Sequence, residues 1–212
     1  MGKKSIVRQG YDLLGDQYAT ARDGNQAELE LIEAFLRSVG TDGLVLDAGC
    51  GPGHPILTTL SERHHTIGLD FSRSQLDIAA TNARTAHLIQ GDMVEVPVRS
   101  NAVDGITAFH SLIHIPYDEH QSVIDEFARI LTPGGHLLLC EGPGDWSGTN
   151  EDWLESGVEM TWDIAGPDAT RQQLRTSGFS ISKEQEISSD FDGDGSWIYY
   201  HAIIENQEVV TG

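Results

Sequence analysis

Lysine is nearly missing from this chain: Lys3, Lys4 and Lys183 are the only three. A phosphate-gripping loop of the G-x-x-x-x-G-K-[ST] type is thereby excluded, because its lysine has to reach the β- and γ-phosphates. Cysteine is as sparse. Cys50 and Cys140 are too few for a disulfide framework, and both suit free thiols of a cytoplasmic protein. No apolar run approaches a membrane span, and Met1-Gly2-Lys3-Lys4-Ser5 leads into polar residues rather than a signal-peptide core. Positive charge as a whole is short, with 13 Lys and Arg against 33 Asp and Glu, a formal net charge of −20. Such a surface repels phosphodiesters, so neither nucleic acid nor membrane is expected as a partner. The acids are dispersed over the chain rather than gathered in a tail. That fits a protein working in high salt, where a Debye length of about 3 Å screens self-repulsion. An ordinary acidic cytosolic protein is the other reading of the same composition.

Glycine is plentiful at 23 residues, and its densest pattern carries the ligand chemistry. In Leu44-Val45-Leu46-Asp47-Ala48-Gly49-Cys50-Gly51-Pro52-Gly53 an apolar run ends in an acid, and three glycines then alternate with other residues. The run reads as a buried strand, the glycines as a turn whose backbone passes close to something bulky. Strand, glycine turn and helix together make the ligand edge of a doubly wound sheet. Further strands are expected at 66–70, 87–90, 103–109 and 136–141, alternating with helices at 25–39, 53–63 and 72–83. Ser72 with Gln75, and Asp118 with Gln121, have the spacing of helix caps. A helix at 5–19 carries Tyr11 and Tyr18 on one face and precedes a break at Asp23-Gly24. Pro167 starts a last helix, ended by Gly178, and 179–187 pairs with 197–205 as a hairpin.

The expected fold class is therefore α/β: a three-layer Rossmann-like sandwich, its seven-stranded sheet mostly parallel and closed by a C-terminal antiparallel hairpin. One domain of residues 1–212 is expected, with a helical cap at 1–40 and a cofactor-binding core at 41–141. A loop-like substrate lid at 142–166 and a helix and hairpin at 167–205 complete it.

Three ligands compete for the glycine turn. The P-loop fails for want of a lysine. A dinucleotide site needs G-x-G-x-x-G, but His54 stands at the third position and Gly53 comes one residue early. Asp47, two residues before the first glycine, also repels a pyrophosphate. A ligand with a positive group and no phosphate suits the turn better. At this point the chain resembles the class I S-adenosylmethionine-dependent methyltransferases, in particular the small-molecule branch that includes quinone-biosynthesis enzymes. Residues 45–53 resemble the family's first motif, and Gly68-Leu69-Asp70-Phe71-Ser72 its second. Gln90-Gly91-Asp92-Met93 resembles the adenine segment, and Leu131-Thr132-Pro133-Gly134-Gly135 the turn before the fifth strand.

The resemblance implies S-adenosylmethionine as cofactor, leaving as S-adenosylhomocysteine, and a role for each matched residue. Gly49, Gly51 and Gly53 admit the methionine portion, with Asp47 fixing the turn and favouring the ligand's ammonium. Asp70 accepts the ribose hydroxyls, Phe71 lies against adenine, and Asp92 with Met93 meets its edge. Tyr18 and Arg22 fold over the cofactor, Arg22 facing its carboxylate. His110 and His114 follow the fourth strand beside the transferred methyl, as candidates for orienting or deprotonating an acceptor; packing is their other reading. Glu141 and Asp145 are further acidic candidates.

Trp146, Trp153, Met160 and Trp162 load the 142–166 segment for an apolar, aromatic or cationic acceptor, or simply seal the sheet edge. Asp190-Phe191-Asp192-Gly193-Asp194-Gly195 imitates a calcium loop, but His201 stands where the bidentate Glu belongs, so no metal is expected. The expected function is methyl transfer to a small molecule by a monomer or homodimer. A nicotinamide oxidoreductase and a non-catalytic S-adenosylmethionine-binding protein are the alternatives.

Overall fold

The computed structural model describes residues 2–21, 26–188 and 195–205. Its helices are α1 (Lys3–Leu13), α2 (Gly15–Ala21), α3 (Gln26–Val39), α4 (Ile56–Ser61), α5 (Arg73–Asn82), α6 (His120–Ile130) and α7 (Pro167–Thr176). The first five strands are β1 (Leu44–Ala48), β2 (His65–Asp70), β3 (His87–Gln90), β4 (Val103–Ala108) and β5 (Leu131–Glu141). Then come β6 (Trp146–Trp153), β7 (Val158–Ile164), β8 (Phe179–Ser188) and β9 (Ser196–Ile204).

Seven of these strands make one sheet in the order β3-β2-β1-β4-β5-β9-β8. The first five are mutually parallel, and β9 runs antiparallel to both β5 and β8. Helices cover both faces, so strands β1, β4 and β5 are apolar on both sides. On one face Ile32, Phe35 and Leu36 of α3 pack with Val45 and Leu138. On the other, Val123, Ile124 and Phe127 of α6 and Leu174 of α7 pack with Leu46, Ile106 and Leu137. The three-layer sandwich, the parallel core and the C-terminal hairpin match the expectation. Parallel pairing of β1 with β2 and β4 puts the carboxyl ends of all three at one edge, where the strand order reverses.

Several local expectations change. The N-terminal helix is two helices that part at Leu14. The helix expected at 53–63 is only α4. Asp118 caps nothing: residues 117–119 form a 3₁₀ turn and α6 begins at His120 without a side-chain cap. The Gln121 side chain instead donates to Asp125 (3.0 Å) and Ser177 (2.8 Å). The 142–166 segment is not a loop, since β6 and β7 pair antiparallel as a second sheet. Its Trp, Thr, Val and Ile content favours pleated backbone, and the β6 acids Glu151 and Asp152 are exposed. The break at Asp23-Gly24, the 190–194 part of the calcium-like loop and the tail beyond Glu205 lie outside the described residues. Among the described residues no helix is long and apolar enough to cross a membrane.

Candidate functional site

The glycine turn folds back over the sheet edge: the Gly49 and Cys50 N–H groups both donate to the Leu69 carbonyl, at 2.8 and 3.0 Å. Gly49 has φ +77°, and a Cβ there would sit 2.3 Å from Ser111 Cβ, so only glycine fits. The Ser111 hydroxyl donates to the Ala48 carbonyl (2.8 Å), tying the loop after β4 to the end of β1. At Gly51, φ is +52° and an added Cβ would meet nothing nearer than 3.8 Å. That open side faces a narrow cavity of about 50 Å³.

The cavity gathers most of the expected residues. Tyr18, Gly49, Gly51, Asp70, Phe71, Asp92, Met93, His110 and His114 all line it. Asp47 and Gly53 do not. Asp47 is buried beneath the turn and accepts from the Thr107 hydroxyl (2.7 Å), so it braces the turn from below. A Cβ on Gly53 would press on Ala79 of α5 at 3.2 Å, so that glycine serves helix packing rather than a ligand. Arg22 lies outside the described residues. Asp145 lies in a separate outer groove, and Glu141 is buried off the cavity, where burial pushes its pKa up to about 8 against the pull of the Gly142 and Ala165 N–H groups.

Asp70 ends β2 with each carboxylate oxygen accepting one backbone N–H, from Gly51 and from Ser72, both at 2.8 Å. Burial raises its pKa to about 6 even though the Ser72, Gly51 and Phe71 N–H groups pull it down. Asp92 accepts from the Val94 N–H (3.0 Å) and pairs with Lys4 (2.7 Å), whose ammonium also reaches Glu119 (2.6 Å). Gln75 is a site residue that the sequence had disguised. Ser72 Oγ does accept from the Gln75 N–H (3.2 Å), which is half of a capping box. The other half is missing because the Ser72 N–H is already held by Asp70. The Gln75 side chain turns into the cavity, and its amide oxygen is buried with no hydrogen-bond partner among the described residues. An orphan acceptor in a cavity wall calls for a ligand donor.

Helix α1 and the β6–β7 hairpin roof the cavity. Val7, Tyr11 and Leu14 pack with Trp153 and Met160, and Tyr18, Trp162 and Phe71 lie against them. Tyr11 reaches down to donate to His114 Nε2 at 2.8 Å. His114 Nδ1 lies 3.2 Å from the Thr161 carbonyl of β7, an acceptor only, so Nδ1 carries the proton and Nε2 is the acceptor. Burial lowers the His114 pKa to about 4, outweighing the Thr161 carbonyl, and His110 pushes the same way. The two histidines thus differ. His110 sits at φ +51° with Nε2 on Glu28 (2.9 Å) and Nδ1 3.7 Å from Cys140. Glu28 itself accepts from the Tyr199 hydroxyl. Both His110 nitrogens are therefore engaged on the wall side. Tyr11 and Ser111 join Gln75 as lining residues beyond the expected set; only the seven-residue spacing of Tyr11 from Tyr18 hinted at the first.

Among the described residues lining the cavity there is no lysine or arginine, a poor match for a phosphate and a good one for a cationic ligand. A family model described as a methyltransferase domain matches residues 45–135, which span the turn, the strand ends and the loop after β4. Over residues 45–135 the chain is similar to methyltransferase domains. Methyltransferase GfsG of Streptomyces halstedii is 34% identical over 128 residues, which cover 57% of this chain and 45% of that protein. The tRNA (carboxymethyluridine(34)-5-O)-methyltransferase of Arabidopsis thaliana is 26% identical over 199 residues, covering 88% and 46%. The chain thus spans about half the length of the curated relatives it matches. Magnesium protoporphyrin IX methyltransferase (ChlM) of Synechocystis PCC 6803, solved with bound SAH, superposes on the methyltransferase fold with a TM-score of 0.75. Its identity is 19%, over 96% of this chain and 100% of that one. At that identity the likeness is one of fold.

Proposed function

We propose that this protein transfers the methyl group of S-adenosylmethionine to a small molecule held in the roofed cavity. One observation carries the reading: Gly49, Gly51, Asp70, Gln75 and Met93 converge on one cavity at the carboxyl ends of β1 to β4. Each residue suits one part of the donor. Asp70 has lone pairs left after accepting two N–H groups, enough for the ribose hydroxyls. The Gln75 amide oxygen receives an N–H or O–H of the donor, and Gly51 lets its methionine portion lie on the backbone. Phe71 and Met93 flank the adenine, with Asp92 at its edge. When bound, S-adenosylmethionine supplies a methyl on a sulfonium with a neutral thioether as leaving group. The chain's own task is alignment, which alone is worth roughly 7–11 kcal/mol.

The acceptor is read as small because α1 and the hairpin close over the cavity and the net charge is −20. An RNA needs an open, positive approach. Titration calorimetry with S-adenosylmethionine, S-adenosylhomocysteine and NAD(P), followed by transfer of labelled methyl, tests the reading. Binding of both sulfur ligands and transfer into a small-molecule fraction are expected. Binding of NAD(P) alone favours the oxidoreductase, and transfer into tRNA overturns the small acceptor.

A further inference from the structure

We infer that the outer groove at the base of the β6–β7 hairpin is a docking site for a partner protein, and that its occupant is an extended segment rich in arginine. The inference is independent of what the inner cavity transfers. The groove has a volume of about 940 Å³ and lies between the turn at 116–118, the start of β6 at 144–147 and the stretch from β7 into α7 at 163–169. Among the described residues three large apolar side chains are exposed, and two of them, Tyr117 and Trp146, stand in this groove at 51% and 52%. Scattered singly, such residues need no explanation; gathered over an apolar floor of Pro116, Ile164, Ala165 and Pro167, they make a patch that a partner can cover. Both rings are also held in place. A Cβ on Gly148 would lie 2.3 Å from the Trp146 ring, so the indole rests where only glycine leaves room. The Tyr117 N–H donates to Asp163 at 3.3 Å, which anchors the turn that carries the phenol. Rings fixed in the free protein lose little freedom on contact, and that is what gives aromatic anchors their weight in an interface.

Charge complementarity selects the occupant. Asp118 and Asp145 are exposed on the rim, and neither carboxylate makes a hydrogen bond or ion pair among the described residues. Asp168 is exposed as well and pairs with Arg171 of its own helix at 2.7 Å. Lys3, the one lysine or arginine among the described lining residues, is already held by Asp163 at 2.6 Å. A guanidinium meets both features of the groove at once: its face stacks on an indole or phenol ring, and its edge forks onto a carboxylate. Nucleic acid and an anionic membrane are repelled by the same acids. A second copy of this chain, with 33 acidic residues to 13 basic ones, is a poor complement. A single amine would leave most of so large a groove filled with water, whereas an extended segment with several arginines can engage both rings and both free carboxylates.

Fluorescence anisotropy with a labelled Gly-Arg-Gly-Arg-Gly-Arg peptide tests the inference, at about 0.15 M salt and with no methyl donor present. The wild type should bind this peptide at least about tenfold more tightly than the same peptide with glutamine for arginine. Argininamide alone should bind about 100-fold more weakly, because it engages one subsite at a time. Trp146→Ala and Tyr117→Ala should each weaken the arginine peptide about tenfold, and Trp146→Phe, which keeps a ring, should retain most of the affinity. Asp118→Asn combined with Asp145→Asn should also cost about tenfold. Glu62→Gln combined with Glu95→Gln removes the same charge from exposed positions outside the groove, and should change the affinity by less than about twofold. Equal losses in the two double variants, or indifference to Trp146→Ala, reduce the binding to general attraction toward a net charge of −20 and overturn the docking site. A glutamine peptide that binds as well removes arginine from the proposal, and argininamide that binds as tightly as the peptide makes the groove a small-cation site; either result overturns it. So does an arginine peptide that fails to bind the wild type.

Discussion

The two walls of the cavity are built in different ways. The sheet edge is set by backbone: positive-φ glycines, N–H groups on a strand-end carboxylate, and partners close in sequence, such as Gly51 and Asp70 or Asp70 and Ser72. The roof is set by side chains that meet across the whole chain, Tyr11 on His114 and Lys3 on Asp163. A backbone-built wall admits few substitutions and keeps one ligand. A side-chain-built roof can be repacked without moving the edge, which is where a family that keeps its donor can vary its acceptor.

The sharpest way to break that contrast is Gly49→Val. It adds a side chain where a single Cβ already lies 2.3 Å from Ser111 Cβ, at φ +77°. Left-handed backbone and overpacking together should cost about 3–5 kcal/mol in urea denaturation, and S-adenosylmethionine binding should vanish in calorimetry. Full binding by this variant would show the edge to be as adaptable as the roof. In the roof, Met160→Ala empties a fully buried position against Gly10 of α1. A loss of about 2–4 kcal/mol is expected, with affinity for S-adenosylmethionine nearly unchanged. If affinity for S-adenosylmethionine falls as far as in the glycine variant, edge and roof are not separable.

Asp70 sharpens the comparison through pH. Its folded pKa of about 6 lies above the unfolded value near 3.9. Between those values the folded state holds a proton that the unfolded state has lost, so stability falls as pH rises from about 4 to 6. Above that, the buried charge costs on the order of 3 kcal/mol. Asp70→Asn should therefore raise the urea midpoint at pH 7 while weakening S-adenosylmethionine by about 10- to 100-fold, the worth of a charged hydrogen bond. In the wild type, affinity should weaken as pH drops below about 6. An affinity flat from pH 5 to 8 removes the ribose role from Asp70.

The same contrast governs what could be read from the sequence. Leu44–Ala48, the glycine turn and Asp70 were legible because period, turn chemistry and strand-end position are local. Gly53 was misplaced because its motif position does not reveal that Ala79 packs on it. Asp47 was expected to fix the turn, but its partner Thr107 shows only once the β1–β4 pairing brings it alongside. The hairpin was hidden because β6 is exposed along most of its length and its alternation is weak. Gln75 obeyed a local capping rule, and a competing bond from Asp70 turned it to another use. Tyr11 gives no local sign of its partner, 103 residues away.

The smallest expected effect separates the two walls most cleanly. Two of the three lysines clamp α1 to the rest of the chain, Lys3 to Asp163 at 2.6 Å and Lys4 to Asp92 and Glu119 at 2.7 and 2.6 Å. Lys3 is about half exposed, so its pair should be worth no more than about 1 kcal/mol, and added salt should weaken it. The whole chain responds to salt in the opposite sense, because screening relieves the self-repulsion of a net charge of −20. In molar potassium chloride the urea midpoint should therefore rise while amide exchange in α1 becomes faster relative to that in β1. Lys3→Gln should reproduce the faster exchange in dilute buffer and leave the midpoint nearly unchanged. If α1 and β1 gain protection together in salt, the lysine clamps contribute nothing, and the roof is held by Val7, Tyr11, Leu14 and Met160 alone.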